Sequence, residues 1–411
     1  MDVAQSTACI VGGGPAGAML GLLLARAGVD VTLLEKHSDF LRDFRGDTVH
    51  PATVEVLGQL GLSEKFFARP HRKFSKFGMI RDGRYREMAD FAGLNVRFPF
   101  ITMIAQWDFL DFLTTEASRS PNFTLRMRTS FVDVLREGDR VTGIHYRDDR
   151  GDGKIHAGLV VGADGRRSAV RDAVGLRTVA RGVPIDVVLF RISRRASDPE
   201  EGITIRLDGG DILGLIDRGD YWQAFVEIPK GSGLLALREA GIEAFRDKIV
   251  RLAPFLADRV HEVESIDALN FLDVRADRLR RWHVPGLIAI GDAAHCVSPV
   301  GGFGINLAIQ DAVAAANQLT DPLLRFQQNG TPVPSKALAA IRRRRVWPTA
   351  MTQLVQRLAL WVDLGGAPSL PVLPIPRRFR LIRKLMGRLI GYGFRSERVR
   401  DPRILAHPAN T

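Results

Sequence analysis

Gly12, Gly14 and Gly17 stand in the run Gly12-Gly13-Gly14-Pro15-Ala16-Gly17, which has the spacing G-x-G-x-x-G between an apolar stretch and an Ala/Leu-rich one. Glycine at the first position permits a tight turn, at the second it lets backbone N–H groups approach a pyrophosphate, and at the third it lets helix and strand pack closely. Pro15 and Ala16 open the helix, whose partial positive N-terminus faces the phosphates. Glu35 ends the next apolar stretch, where a carboxylate accepts hydrogen bonds from an adenosine ribose and disfavours a 2′-phosphate. With Lys36 beside it, this end is expected to take FAD or NAD rather than NADP.

Two more turns have chemical content. Gly162-Ala163-Asp164-Gly165-Arg166-Arg167-Ser168 follows the apolar run Leu159-Val160-Val161, and Gly291-Asp292-Ala293-Ala294-His295 follows Leu287-Ile288-Ala289-Ile290. The second continues through Pro299-Val300-Gly301-Gly302-Phe303-Gly304-Ile305-Asn306. Either alone reads as an ordinary strand-to-helix turn, but all three turns at these spacings do not.

The elements that must position them follow from periodicity. Residues 8–12 and Val31 to Leu34 read as buried parallel strands around a helix from Ala16 to Ala27, which Gly28 stops. Helices are expected at Pro51 to Leu60 and Trp107 to Ser118. Alternation from Phe74 to Phe100 around Asp82-Gly83 predicts antiparallel strands, and Val141 to Tyr146 with His156 to Val161 predicts a hairpin. A β-rich stretch runs from Val183 to Ile228, with one more strand at Ile266 to Val274. A buried strand at Gly286 to Ile290 and a helix from Gly304 to Leu319 return the chain to the first architecture. The expected fold is therefore α/β, with a discontinuous nucleotide domain (1–71, 101–179 and 276–330), a mainly antiparallel sheet domain inserted twice (72–100 and 180–275) and a C-terminal helical cap (331–411) broken by the link Pro368 to Pro376.

The ordered trio of glycine fingerprint, Asp-Gly turn and Gly-Asp turn, over roughly residues 8–320, resembles the single-component FAD-dependent aromatic hydroxylases of the p-hydroxybenzoate hydroxylase type, which include ubiquinone-pathway and polyketide-tailoring enzymes. That resemblance implies a Rossmann-like FAD domain and an inserted substrate sheet. It implies that Asp164 and Gly165 serve flavin and nicotinamide binding, that Asp292 after Gly291 holds the ribityl chain, and that the N–H groups of Gly304, Ile305 and Asn306 meet the pyrimidine edge of the flavin. Arg45 and Gln106 match the places where relatives touch FAD. Where many relatives have Gly-Gln-Gly, this chain has Gly302-Phe303-Gly304, so Phe303 either shields the flavin or only packs.

The implied reaction uses NAD(P)H, docked transiently near Asp164 and Arg166, and O2 to hydroxylate a hydrophobic aromatic substrate (phenolic, polyketide or polyprenyl-like) through a flavin C4a-hydroperoxide. A base that removes a phenolic proton helps such attack, and Asp47 and His50, close to Arg45, are the candidates, with His295 a further one. A lone histidine is more often a structural hydrogen-bonding residue. Pro299, which precedes the flavin loop, and one face of Tyr221-Trp222-Gln223-Ala224-Phe225 are expected to wall the substrate. The alternative is an FAD-dependent reductase of the geranylgeranyl-reductase type acting on a lipid; a non-enzymatic FAD-fold binding module is a third reading. Halogenases are disfavoured by the missing Trp-x-Trp-x-Ile-Pro signature.

Composition bounds the rest. The 411 residues, 45% hydrophobic and 25% charged, can bury a core without disulfides or metal, and Cys9 and Cys296 have no partner at metal-ligand spacing. A reducing cytoplasm is expected, since the N-terminus lacks a signal-peptide pattern and no apolar stretch reaches the roughly 18 residues of a spanning helix. Much of the +12 net charge lies in Arg342 to Arg345 and Arg377 to Arg388. The apolar stripe of Arg377 to Arg395 is expected to pack on the flavin domain; lying on an anionic membrane surface is the other use. Nucleic-acid binding is not expected, because the basic residues accompany no binding module. Oligomeric state is left open.

Overall fold

The computed structural model describes residues 2–41, 47–81, 83–200, 202–363 and 380–406. Its first sheet runs in the order His283–Val284, Leu287–Ala289, Gly151–Gly162, Asp2–Val11, Val31–Leu34 and Phe123–Arg126. From Leu287–Ala289 to Phe123–Arg126 every neighbouring pair is parallel. Parallel strands need crossovers that cover the sheet, and their side chains are accordingly apolar without alternation: Ala8, Cys9, Ile10, Val31, Leu33, Val160 and Val161 are fully buried. The helix Pro15–Arg26 is flanked by Gln106–Ala117 and Phe303–Asn329. Its residues from Ala16 to Ala25 are all buried, as expected of a helix enclosed by sheet and helices together.

The second sheet has the order Asn270–Leu272, Ile185–Ser193, Tyr221–Pro229, Asp211–Asp217, Ile203–Asp208, Lys76–Arg81 and Arg84–Asp90. All its pairs are antiparallel except Ile203–Asp208 with Lys76–Arg81, where the two sequence-distant parts of the sheet meet. The helix Gly233–Leu252 covers one face, burying Phe245 and Ile249 against Val188, Phe190, Trp222 and Val226. The other face turns Leu189, Phe225 and Leu272 toward Val300 and Leu360, so it looks at the nucleotide side of the molecule.

Most sequence-expected elements recur with shifted ends, and the shifts have causes. The first strand extends back to Asp2 because residues 2–6 pair with 153–157 of an equally long partner strand. The long helix continues ten residues beyond Leu319, through the buried Pro322, and stops where Gly330 adopts φ 72° and donates to Phe326 O at 2.8 Å. Past Leu319 it is held by packing of Leu323 and by Gln327, which bonds Thr7, Asp30 and Gly28. The strand expected over Ile266 to Val274 is only Asn270–Leu272. Asp82 of the expected turn and the link Pro368 to Pro376 lie outside the described residues.

The C-terminal region supplies the helices Ser335–Asp363, Arg380–Tyr392 and Pro402–Leu405. The amphipathic one, Arg380–Tyr392, lays Met386 and Ile390 mainly on the edge strand Arg84–Asp90 and its neighbours, so its stripe meets the second sheet as well as the helix opened by Pro51. Gly387 makes the approach possible, since a methyl there would lie 2.6 Å from Asp90 O. Among the described residues no helix is long and apolar enough to cross a membrane.

Candidate active site

The three chemical turns converge because their strands are parallel and in register. Val11 lies opposite Gly162 and Leu34, and Gly162 opposite Ala289, so all four strands end at one level. Gly12 N donates to Leu34 O at 2.8 Å, Ala163 N to Val11 O at 2.8 Å and Ile290 N to Gly162 O at 2.9 Å, which stitches each turn to its neighbour. Gly12 has φ 108°, and a methyl on it would lie 2.4 Å from Ala163 O. Gly17 is tighter still, 2.0 Å from Gly12 O, whereas a methyl on Gly14 would meet nothing nearer than 4.0 Å. Gly12 and Gly17 thus make close contacts within the protein, and Gly14 faces open space. The helix begun by Pro15 has no side-chain cap, so its first N–H groups are left for a ligand.

Glu35 accepts from Gly13 N and His37 N, both at 3.1 Å, which fixes the carboxylate beside the fingerprint; Lys36 is exposed at the same strand end. Asp164 takes Ser168 Oγ at 2.5 Å and Val170 N at 3.1 Å, so its carboxylate organises its own turn and the short helix Ala169–Ala173. Burial pushes that carboxyl up, against those hydrogen bonds. Gly165 follows with φ 85° and open space around it. Gly291, at φ 58°, is pressed against Ala16, where a methyl would come within 2.9 Å, and Asp292 beside it is half-buried.

The long helix also begins uncapped, after Gly301 and Gly302 at φ 78° and 65°. A methyl on Gly304 would meet no atom of the described residues within 4 Å, so these leave the space beside this N-terminus open, with Ile305 buried behind it. The Asn306 side chain is spent inside the protein: it accepts from His50 N and Thr53 Oγ1, both at 2.8 Å, and donates to Thr48 O and Gly302 O, both at 3.0 Å. These bonds lock residues 48–53 onto the helix start. Pro299 is exposed at the rim, and its carbonyl accepts from Gly302 N at 2.9 Å. Arg45 lies outside the described residues.

The two candidate bases part ways. Asp47 is buried where the flavin-side loop meets the second sheet, 3.3 Å from Arg218, and accepts from Gln106 N at 3.3 Å. Burial pushes its carboxyl up to about 6, despite the nearby charges of Arg218 and Arg191. His50 instead faces a narrow cleft with Phe303, Arg345, Pro348 and Tyr392, under the C-terminal helices. Burial lowers it to about 4, against backbone hydrogen bonding with Ile390 and Gly301; its Nε2 has no partner of good geometry among the described residues, and its ring meets Phe303 edge-on at 5.4 Å. With its backbone N–H tied to Asn306, His50 thus lies between the turn at Gly301 and the helix Arg380–Tyr392. His295 is bonded to Asp311 at 2.6 Å.

Alternation along Tyr221–Pro229 is settled by packing. Trp222 and Ala224 enter the core under Gly233–Leu252, leaving Tyr221, Gln223 and Phe225 on the face toward Val300. Gly214 makes room for Phe225, since a methyl there would strike its ring at 2.0 Å. Arg191 and Leu189 lie on this face of the neighbouring strand, opposite Gln223 and Phe225 in register.

Sequence reasoning missed Arg218 and Asp311. Arg218 carries no local signal, but Asp311 is an acid within the apolar helix run Leu307 to Ala316, which is itself unusual. It is fully buried and accepts from Gly291 N, at 3.0 Å, and from Arg345 Nε, at 3.0 Å, as well as His295. Burial pushes the Asp311 carboxyl up, but His295 and Arg345 outweigh it and hold it below its ordinary value. Arg345 also donates to Arg395 O at 3.1 Å, so the Gly291 turn is tied to the C-terminus.

Residues 5–327 match the model of the family described as FAD binding domain. The chain belongs to the FAD-dependent aromatic-hydroxylase monooxygenases. It is 32% identical over 407 residues to 6-methylpretetramide 4-monooxygenase of Streptomyces rimosus, covering 97% of this chain and 95% of that one. The fold is similar to p-nitrophenol 4-monooxygenase from Pseudomonas putida (TM-score 0.74, 20% identity, 98% and 96% of the two chains). It is similar as well to aklavinone-11 hydroxylase in ternary complex with FAD and aklavinone (TM-score 0.71, 21% identity, 88% and 70%). The monooxygenase fold of this chain therefore combines an FAD-binding sheet, an antiparallel second sheet and C-terminal helices. The uncapped helix starts and the open faces of Gly14 and Gly304 fit such a cofactor.

Proposed function

We propose that the protein uses NAD(P)H and O2 to hydroxylate a hydrophobic aromatic substrate, with polycyclic polyketide-like phenols favoured, held between the flavin loop and the second sheet. The observation that carries this reading is the Asp47–Arg218 pair, a buried carboxylate with a raised pKa at the seam between the two sheets. Bound FAD would accept a hydride from the nicotinamide and activate oxygen; the chain's own residues bind, orient and move a proton. Gly12, Gly14, Pro15, Ala16 and Gly17 would hold the pyrophosphate, Glu35 and Lys36 the adenosine ribose, and Asp292 the ribityl chain. The open start of the long helix, at Gly304 and Ile305, offers N–H donors to an electron-rich ring edge. Arg45 and Gln106 are assigned to the same cofactor, and Asp164, with Gly165, to the groove for the nicotinamide donor.

On the substrate side, Leu189, Phe225 and Val300 supply apolar surface and Pro299 the rim. Asp47 accepts the phenolic proton, and Arg218 keeps the carboxylate oriented. A base poised near pH 6 is matched to that task. The names of the relatives, 6-methylpretetramide 4-monooxygenase and aklavinone-11 hydroxylase, favour a polyketide over a polyprenyl phenol.

The test mixes FAD-loaded protein with NADPH or NADH in air, with a panel of polycyclic and simple phenols, and follows oxygen uptake and product mass. Phenol-stimulated uptake with one oxygen atom gained supports the reading. Anaerobic turnover that changes a lipid by two hydrogens, with no oxygen uptake, replaces it with the reductase alternative.

A further inference from the structure

Beneath the helix Ser335–Asp363 lie arginines with opposite fates. Arg345 is fully engaged by Asp311 and the Arg395 carbonyl. Arg342, one turn earlier, has a buried Nε with no hydrogen-bond partner.

Two more guanidiniums share that condition. Arg278 lies on the strand Asp277–Leu279, directly opposite His295 in antiparallel register, so both side chains leave the sheet on one face. The His295 ring meets Trp282 and Asp311 under the C-terminal helix, which places Arg278 on the helix-covered side. On the far side of the same strand Val179 pairs with Arg278, and Arg181 follows two residues later, its N–H donating to Ala276 O at 2.8 Å. The helix is fastened to this small sheet by Gln353, which donates to Asp277 O and Cys296 O, both at 2.8 Å.

Arg278 Nη1 and Arg181 Nε are buried and unpartnered, as is His283 Nδ1 nearby. Among the described residues none of the three arginine side chains makes an ion pair or a hydrogen bond. Burial lowers the Arg278 pKa, and the charges of Arg181 and Arg342 lower it further, which sets each of those two within electrostatic reach of Arg278. Arg342 also bears on His283, whose pKa burial and Arg281 lower as well. Buried donors are normally filled and buried charges normally paired. Each of these three half-buried arginines keeps one buried donor that the described residues leave unfilled.

We propose that Arg181, Arg278 and Arg342 form a binding site for a multiply charged phosphate group where the strand Asp277–Leu279 meets the helix Ser335–Asp363. Guanidinium forks match phosphate oxygens, and a phosphate carries enough charge and acceptors to satisfy three of them, where a single carboxylate does not. Its source is either free phosphate or pyrophosphate, or the 2′-phosphate of NADPH.

The test is calorimetric titration of FAD-loaded protein with sodium pyrophosphate at fixed ionic strength, together with the thermal midpoint with and without it. Wild type should bind saturably, and Arg278→Gln and Arg342→Gln should each weaken binding about tenfold or more. Without the anion, Arg278→Gln should melt higher than wild type, because it relieves repulsion; a merely structural arginine gives the opposite sign. Absence of saturable binding, equal affinity in the variants, or a lower anion-free midpoint for Arg278→Gln overturns the proposal. Given binding, displacement of pyrophosphate by NADPH but not NADH names the dinucleotide as the source, and displacement by neither names the free anion.

Discussion

The cofactor end and the substrate end of this molecule are built from different materials. At the cofactor end the functional surface is mostly backbone, shaped by glycines whose contacts leave no room for a methyl: Gly12 against Ala163, Gly17 against Gly12 and Gly291 against Ala16. At the proposed substrate end it is mostly side chain, contributed by segments far apart in sequence: Asp47 with Arg218 across the seam of the two sheets, and Leu189 beside Phe225 through strand register. Backbone sites tolerate change in neighbouring side chains but not in their glycines. Side-chain sites allow substrate choice to vary while the cofactor end stays constant.

Asp47→Asn is the sharpest way to separate the two. Hydroxylation should fall by ~10²–10⁴-fold while FAD content stays at the wild-type level, checked by steady-state kinetics and by absorbance of the purified flavoprotein. In wild type, turnover should rise as pH passes through about 6, where Asp47 loses its proton, and the variant should lack that limb. The stability effect has the opposite sense. A carboxyl whose folded pKa is raised binds more protons folded than unfolded, so stability falls as pH rises from the ordinary carboxylate value through about 6 and stays lower above it. Asp47→Asn should therefore melt higher than wild type at pH 7.5, with the gap closing near pH 4; loss of both activity and flavin together would mean that the two ends are not separable at this residue.

Arg345→Met asks whether the backbone end leans on buried side chains. It removes one partner of Asp311 and leaves the carboxylate with less compensation, which costs about 3–5 kcal/mol in buried pairs. Chemical denaturation should register that loss, and FAD should dissociate more readily because Asp311 also holds Gly291 N. Unchanged FAD affinity in a destabilised variant would confine the network to stability.

Gly12→Ala strikes the backbone end directly. The methyl meets Ala163 O at 2.4 Å in a backbone conformation, φ 108°, that L residues avoid, so FAD affinity should drop by ~100-fold, a loss of about 3 kcal/mol. Gly165→Ala is the control, since φ is also positive there but the space is open. Its effect on FAD, measured by equilibrium dialysis, should be much smaller.

These contrasts explain what was legible in the sequence. Gly12, Gly14 and Gly17 act through local backbone geometry, so their spacing encodes what they do, and the parallel strands could be read from unbroken apolar runs. The face of Tyr221–Pro229 directed toward Val300 could not be read, because alternation yields two faces and only the packing of Gly233–Leu252 on Trp222 chooses between them. The surroundings of His50 could not be read for a related reason. Its nearness to Arg45 in sequence says nothing of side-chain direction, which Asn306 and Phe303 set from the far end of the chain. The four arginines from Arg342 to Arg345 looked alike as a charge run, yet Arg345 is buried on Asp311 while Arg343 is exposed.

Phe303 sits on the boundary between the two ends, and the smallest effect tests it. Its ring meets His50 edge-on and folds beside Gly301, where a methyl would come within 2.5 Å of it. That posture is packing against the protein, and it favours packing over shielding of the flavin. Phe303→Gln, which gives the Gly-Gln-Gly loop that the family resemblance leads one to expect, should cost about 1 kcal/mol through the lost aromatic contact. FAD content and the ratio of product formed to oxygen consumed should stay at wild-type values. A ratio that falls in the variant, with hydrogen peroxide appearing instead of product, would show that the ring excludes water from the flavin and that the substrate end begins one residue earlier than packing implies.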